Sequence, residues 1–239
     1  MRYYYIALLF TLFLGSCIKD DKPKIVHRSS EVSETLPLIE DSTNIKMADL
    51  PVHIDSTSYL LHPIGDFKIK NERGKIIFKS SGYGGGNNFS ISSSRSYSIS
   101  GDLSNIMFQH ISSEELKSLT NKTIKIQSAS FLWEIYNKTK QEILVYEIND
   151  LDTNQDKKLD RNDIKALYLS LIDGSGFKKL TVNNHELINW KVIPNTNRLY
   201  FKTIDDTNRD GNFDEKDTVH YKYVDLSTDK FEIIEYFPI

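Results

Sequence analysis

Cysteine is almost missing from this sequence: one residue, Cys17, in a chain of 239. A lone cysteine makes no internal disulfide, so the fold depends on no oxidising compartment. An excess of positive charge is missing too. The formal net charge is −3 and there is no basic stripe, which argues against nucleic acid as the main partner. Beyond residue 14 no apolar run approaches the roughly 20 residues of a membrane-spanning helix. Alanine is scarce, whereas Tyr (13) and Phe (12) are abundant. That bias favours strands over helices.

The start of the chain reads as an export signal. Arg2 supplies positive charge, and Ile6 to Leu14 is apolar but too short to span a bilayer. The run ends in Leu14-Gly15-Ser16-Cys17. This resembles the lipobox of bacterial lipoproteins. The resemblance implies cleavage after residue 16, diacylglyceryl and palmitoyl chains on Cys17, and an anchor in the outer membrane of the cell envelope; two acyl chains suffice for stable anchoring. Lys19-Asp20-Asp21 resembles the surface-export signal of Bacteroidetes lipoproteins; the other reading is a solvated charged tether. Residues 17–51 are polar and weakly periodic, which predicts a flexible lipidated tether. Residues 52–239 remain for the folded domain.

Three strings in that domain share an order of features. The first is Lys75 to Lys79, a Gly/Ser-rich stretch, Asn105 to Ile111, then Glu115 to Thr120. The second is Glu142 to Ile148, an Asp-rich stretch, Ala166 to Ile172, then Phe177 to Thr181. The third is Arg198 to Lys202, another Asp-rich stretch, Val219 to Val224, then Phe231 to Glu235. Ile126 to Ile135 and Leu187 to Ile193 also read as strands and precede the second and third. The expected fold is all-β, with repeated four-stranded antiparallel units: three blade-like units with two acidic loops inserted between strands. The string Leu167 to Gly174 with Lys179 to Thr181 resembles the outer-strand pattern of TolB-type and WD40-like propellers. Closed propellers usually have four or more blades. An open stack of sheets, a propeller fragment, a β-sandwich and a β domain without true repeats therefore all stay open.

The strongest chemistry lies in the two acidic loops, 152–163 and 206–217. Both fit the twelve-residue EF-hand template, in which oxygen ligands alternate so that they converge on one ion. In the first loop the ligands would be Asp152, Asn154, Asp156, the Lys158 carbonyl, Asp160 and Asp163. In the second they would be Asp206, Asn208, Asp210, the Asn212 carbonyl, Asp214 and Asp217. Leu159 and Phe213 supply the apolar eighth position. Registers starting at Asp150 or Asp205 fail: the first puts Lys157 at the apolar position and Arg161 at the twelfth, and the second puts Thr207 and Arg209 at the third and fifth. Two features depart from the template. Lys157 stands where glycine is expected, and the twelfth residue is Asp rather than Glu, which makes magnesium or looser calcium binding an alternative. No helix pair flanks the loops, so they resemble the calcium loops of dockerin-like repeats. Solvated Asp/Asn turns are the bland reading.

Enzyme signatures are mostly missing. His185-Glu186-Leu187-Ile188-Asn189 starts like a zinc-protease motif but ends in Asn and precedes a strand. His27, His53, His62, His110 and His220 show no ligand spacing. There is no Gly-x-Ser-x-Gly elbow, and the glycine run around Tyr83 lacks the Lys of a phosphate loop. Tyr83 and Tyr97 could meet a ligand from that loop. The expectation is a non-enzymatic, calcium-stabilised binding module for a protein or glycan. A glycan or peptide hydrolase is the competing class.

Overall fold

The computed structural model describes residues 23–27, 37–39, 44–72, 75–80, 92–95, 97–228 and 230–239. The export signal, Cys17, residues 19–21 and Tyr83 lie outside them. The strands are β1 (Asn44–Ala48), β2 (Val52–His53), β3 (Tyr59–Glu72), β4 (Lys75–Ser80), β5 (Ser92–Arg95), β6 (Ser98–His110), β7 (Leu116–Ser118) and β8 (Lys125–Phe131). After the one α-helix described, α1 (Trp133–Thr139), come β9 (Ile143–Asn149), β10 (Lys165–Leu171), β11 (Lys178–Lys179), β12 (His185–Ile193), β13 (Arg198–Asp205), β14 (Thr218–Asp225) and β15 (Ile233–Glu235), with a short 3-10 turn at Pro194–Thr196. The fold is all-β, and the described pairings are antiparallel.

Three four-stranded meanders are present. The second unit is β8-β9-β10-β11 and the third is β12-β13-β14-β15. Each carries its acidic loop between the two middle strands. The first unit differs from expectation. Its strands are β2, the start of β3, the end of β6 and β7, with Tyr59 opposite His110 and Met107 opposite Ser118. Lys75 to Lys79 is not one of them, because β4 pairs with the far end of β3. The repeat is therefore offset, and β4 and β5 fall outside the first unit.

The units are also not three separate sheets. The long β6 joins two units: Asn105 to His110 pair with β3 of the first, while Ser98 to Ser100 pair with β8 of the second. The first two units thereby share an 11-stranded sheet, and the third is a separate 4-stranded one.

The middle of the fold sits on β9. Leu144, Tyr146 and Ile148 enter one apolar cluster with Leu61, Ile106 and Phe108 of the first unit. Ile143 and Val145 enter another with Leu199, Phe201 and Val224 of the third. Successive strand side chains point to opposite faces, so a strand buried on both must be apolar throughout. That is why Ile143-Leu144-Val145-Tyr146 shows no polar alternation. Tyr146 keeps its hydroxyl satisfied by Ser170, at 2.6 Å. Burial pushes the ionisation of this phenol well above the ordinary range.

Three more expectations need correction. The strand expected over Ile126 to Ile135 stops at Phe131, and α1 follows. Alternation fails there because Phe131, Leu132 and Trp133 are consecutive bulky apolar residues, and Trp133 and Tyr136 then fall at helical i, i+3 spacing. Tyr97 is not a free loop residue: it stacks on Trp133 with ring centroids 4.4 Å apart. The tether expected over residues 17–51 is structured where it is described. Asn44–Ala48 pairs with Ile64 to Lys68 of β3, and residues 23–27 lie across both acidic loops.

Candidate metal centres

The two acidic loops share one web of backbone-to-side-chain hydrogen bonds. The N–H at the fifth position donates to the third-position amide oxygen: Asp156 to Asn154 at 3.0 Å, Asp210 to Asn208 at 2.9 Å. The sixth donates to the first: Lys157 to Asp152 at 2.9 Å, Gly211 to Asp206 at 2.8 Å. The seventh donates to the fifth: Lys158 to Asp156 and Asn212 to Asp210, each at 2.9 Å. The eleventh donates to the ninth: Asn162 to Asp160 at 2.8 Å, Lys216 to Asp214 at 2.9 Å. The twelfth carboxylate closes the loop. Asp163 accepts from Thr153 at 2.8 Å and Asp160 at 2.9 Å, and Asp217 accepts from Thr207 at 3.0 Å and Asp214 at 2.9 Å.

The backbone matches as well. The fourth and sixth positions are left-handed in both loops: Gln155 (φ 60), Lys157 (φ 65), Arg209 (φ 61) and Gly211 (φ 88). Lys157 thus adopts the turn that the template assigns to glycine. The two rejected registers are occupied otherwise. Asp150 is held by the Tyr168 hydroxyl at 2.6 Å and by the Lys179 ammonium, and Asp205 faces His220.

Loop one carries the clearer sign of a cation site. Asp152 turns one oxygen to the Lys157 N–H, and its other oxygen, Oδ1, is buried with no hydrogen-bond partner. Leaving a buried acceptor unpaired is costly, and a hard cation would satisfy it. Asp163 is wholly buried. Burial raises its pKa to about 6 despite the backbone N–H groups it accepts. In loop two both oxygens of Asp206 are engaged, by the N–H groups of Asp210 and Gly211 and by His27 Nε2 at 2.8 Å. Asp210 is held below the usual carboxylate range by the N–H of Asn212 and the amide of Asn208. The carboxylates of neither loop close on a common point tightly enough to form a compact acidic cluster.

Residues 23–27 strap the two loops together. Lys24 N–H donates to Gly211 O at 2.9 Å, and Val26 N–H donates to Thr153 O at 2.8 Å. In return, Thr153 Oγ1 donates to Lys24 O at 2.8 Å. Ile25 is buried, and the Lys24 ammonium pairs with Glu186. Further along, Ile39 N–H donates to Lys157 O at 2.8 Å.

A second group was missed by linear spacing. His185 of β12, Asp205 of β13 and His220 of β14 place one ligand atom each within 4.8 Å of one another, and no other such His/Cys/Asp/Glu group occurs among the described residues. His185 stands opposite Asp205, and His220 lies diagonally across from it, opposite Thr203. The two imidazole centroids are 4.9 Å apart. Burial, then the neighbouring His220, holds His185 below its ordinary pKa, so the ring favours the neutral, ligating form.

The chain matches no protein-family model, and no curated protein matches it. A solved structure from Agrobacterium tumefaciens, assigned provisionally as TolB, is similar at 12% identity, over 80% of this chain and 81% of that one, with a TM-score of 0.22. Agreement that low carries no weight, and the fold described above rests on the strand pairings themselves.

Proposed function

We propose that this chain is a lipoprotein held in the outer membrane of the cell envelope by acyl chains on Cys17. Its β domain is braced by two calcium ions and acts as a binding module for a protein or glycan partner. The observation that carries the reading is the shared hydrogen-bond web of the two loops, with the orphaned Asp152 oxygen inside one of them. Twice over, the chain builds the same twelve-residue turn. Asp152, Asn154, Asp156, the Lys158 carbonyl, Asp160 and Asp163 would hold one ion. Asp206, Asn208, Asp210, the Asn212 carbonyl, Asp214 and Asp217 would hold the other. Oxygen-only donors suit calcium. Aspartate at the twelfth position reaches less far than glutamate, in keeping with the weak binding of extracellular modules, about 10⁻⁴–10⁻³ M.

The three meanders stacked on β9 are read as a short, open arc of propeller type. The outer face of the third unit supports a binding role. Tyr200, Tyr223 and Tyr236 lie with centroids 5.4–6.0 Å apart, Tyr221 joins them, and Arg198 lies 4.2 Å over the Tyr223 ring. Half-exposed tyrosines of this kind are enriched at interfaces.

The test is a thermal melt of the full chain in chelator, in magnesium and in calcium. Calcium at a hundred times its Kd should add about 2.7 kcal/mol per site, with a smaller effect from magnesium. No shift at millimolar calcium would sink the metal claim.

A further inference from the structure

We propose that His185, Asp205 and His220 form a third cation site, separate from the acidic loops and built for a borderline transition ion of the zinc class. The residues lie on the face of the third sheet that also carries Leu187, Leu199, Phe201 and Val224, at the end where that apolar face gives way to polar groups. Two imidazoles and one carboxylate are the donor set that zinc prefers and calcium does not.

The spacing is more telling than the residue types. His220 Nε2 and Asp205 Oδ1 stand 3.3 Å apart. That is long for a hydrogen bond between a ring nitrogen and a carboxylate, which centres near 2.9 Å. It is about the separation of two ligands that sit roughly 2.0–2.1 Å from one tetrahedral ion. The other ring nitrogen of His220 reaches Glu235 Oε1 at 3.1 Å. A carboxylate behind a histidine fixes its tautomer and turns the free nitrogen toward a metal. On the other side, His185 Nδ1 is buried with no hydrogen-bond partner. An unpaired buried ring nitrogen is costly unless something binds there. Lys222 on β14 works against a cation, but it stands opposite Glu235 in register, which offsets it. Three protein ligands leave a fourth position for water or a partner's side chain, the arrangement of an open zinc site.

The experiment titrates zinc into the full chain held in millimolar calcium, after a soft-donor chelator has removed adventitious transition metals. One zinc ion should bind per chain. Glu235→Gln should weaken binding by about 10–100-fold, as loss of an outer carboxylate does, and His185→Ala or His220→Ala should weaken it more. Cobalt in place of zinc should give the visible absorption of a low-coordinate, nitrogen-ligated site, lost in His220→Ala. Each variant is also melted in chelator: a cooperative transition shows it folded whether or not the loops bind calcium, which keeps this claim separate from the loop reading. No zinc uptake by the wild-type chain, or uptake unchanged in both folded histidine variants, overturns the proposal.

Discussion

An ideal Cβ on Gly211 would stand 2.8 Å from the carbonyl oxygen of Ile25, so the backbone of the second acidic loop and the backbone of the strap touch directly. Pro23 Cβ would be equally close. With φ at 88°, Gly211 also occupies a conformation that other residues enter only under strain. Gly211→Ala should therefore cost about 1–3 kcal/mol. The cost should fall on the strap first, because Lys24 and Ile25 both direct their N–H groups at Gly211 O. Limited proteolysis of the variant should cut before residue 44 well ahead of global unfolding. Equal resistance to protease in wild type and variant would contradict the contact.

Asp163 predicts an unusual pH dependence. Its folded pKa of about 6 lies above its ordinary 3.8. For a carboxyl group raised in this way, the protonated form favours the fold. The contribution is complete below about 4 and is lost as pH rises through 6. The full swing is roughly 3 kcal/mol. Without metal, the stability gap between wild type and Asp163→Asn should move in favour of wild type as pH falls from 7 to 4. Calcium would have to displace that proton, so the stabilisation by calcium should shrink over the same interval. Chelated and calcium-loaded melts of both proteins, at intervals of one pH unit, decide it. A gap independent of pH would refute the assignment.

Much of this was legible in the sequence, and what was not has physical causes. The second and third units could be read because each strand carries its own alternation or apolar run, and the hairpin turn at Asp173 to Gly176 announces itself. The likeness of the two loops could be read because their Asp/Asn spacing is local. The first unit was misjudged because Lys75-Ile76-Ile77-Phe78 has strand chemistry, yet its partner is the far end of β3 rather than a repeat neighbour. The His185–Asp205–His220 cluster left no linear signal. His185 and His220 meet only through the register of three strands, which no spacing rule encodes. The strap was hidden by its polarity: Lys24, His27 and their neighbours look like a solvated linker, and only their partners on the loops show otherwise.

The hairpin glycines of the second unit offer an internal control. Gly174 (φ 76) and Gly176 (φ 66) share the same turn and nearly the same backbone. A Cβ on Gly174 would meet the Phe108 ring at 2.7 Å, while one on Gly176 would meet nothing within 4 Å. Gly176→Ala should cost only the left-handed backbone, about 1 kcal/mol. Gly174→Ala should cost that plus the displacement of a core ring that joins the first unit to the second, a further 1–3 kcal/mol or so. Denaturant melts of the two variants should separate them clearly. Similar costs would mean that Phe108 does not pack against the turn.

The strap also changes the expected distance between domain and membrane. A flexible tether ending near residue 51 would let the domain roam. If the anchor is Cys17 and the chain is held on the loops at residues 23–27, only six residue steps separate Cys17 from Pro23, at most about 20 Å when fully extended. The loop face would then sit close to the lipid surface. Two insertions of a twenty-residue Gly/Ser segment, with a root-mean-square span of about 25 Å, discriminate. Placed after residue 22, the segment should lower energy transfer from the native Trp133 and Trp190 to a dansyl-labelled lipid headgroup. Placed after residue 41, it lies beyond the strap and should leave transfer near the wild-type level. Cys17→Ser should abolish transfer by releasing the chain from the vesicles. Equal losses from the two insertions would show that the strap detaches at the membrane and that the whole of residues 17–51 is the leash.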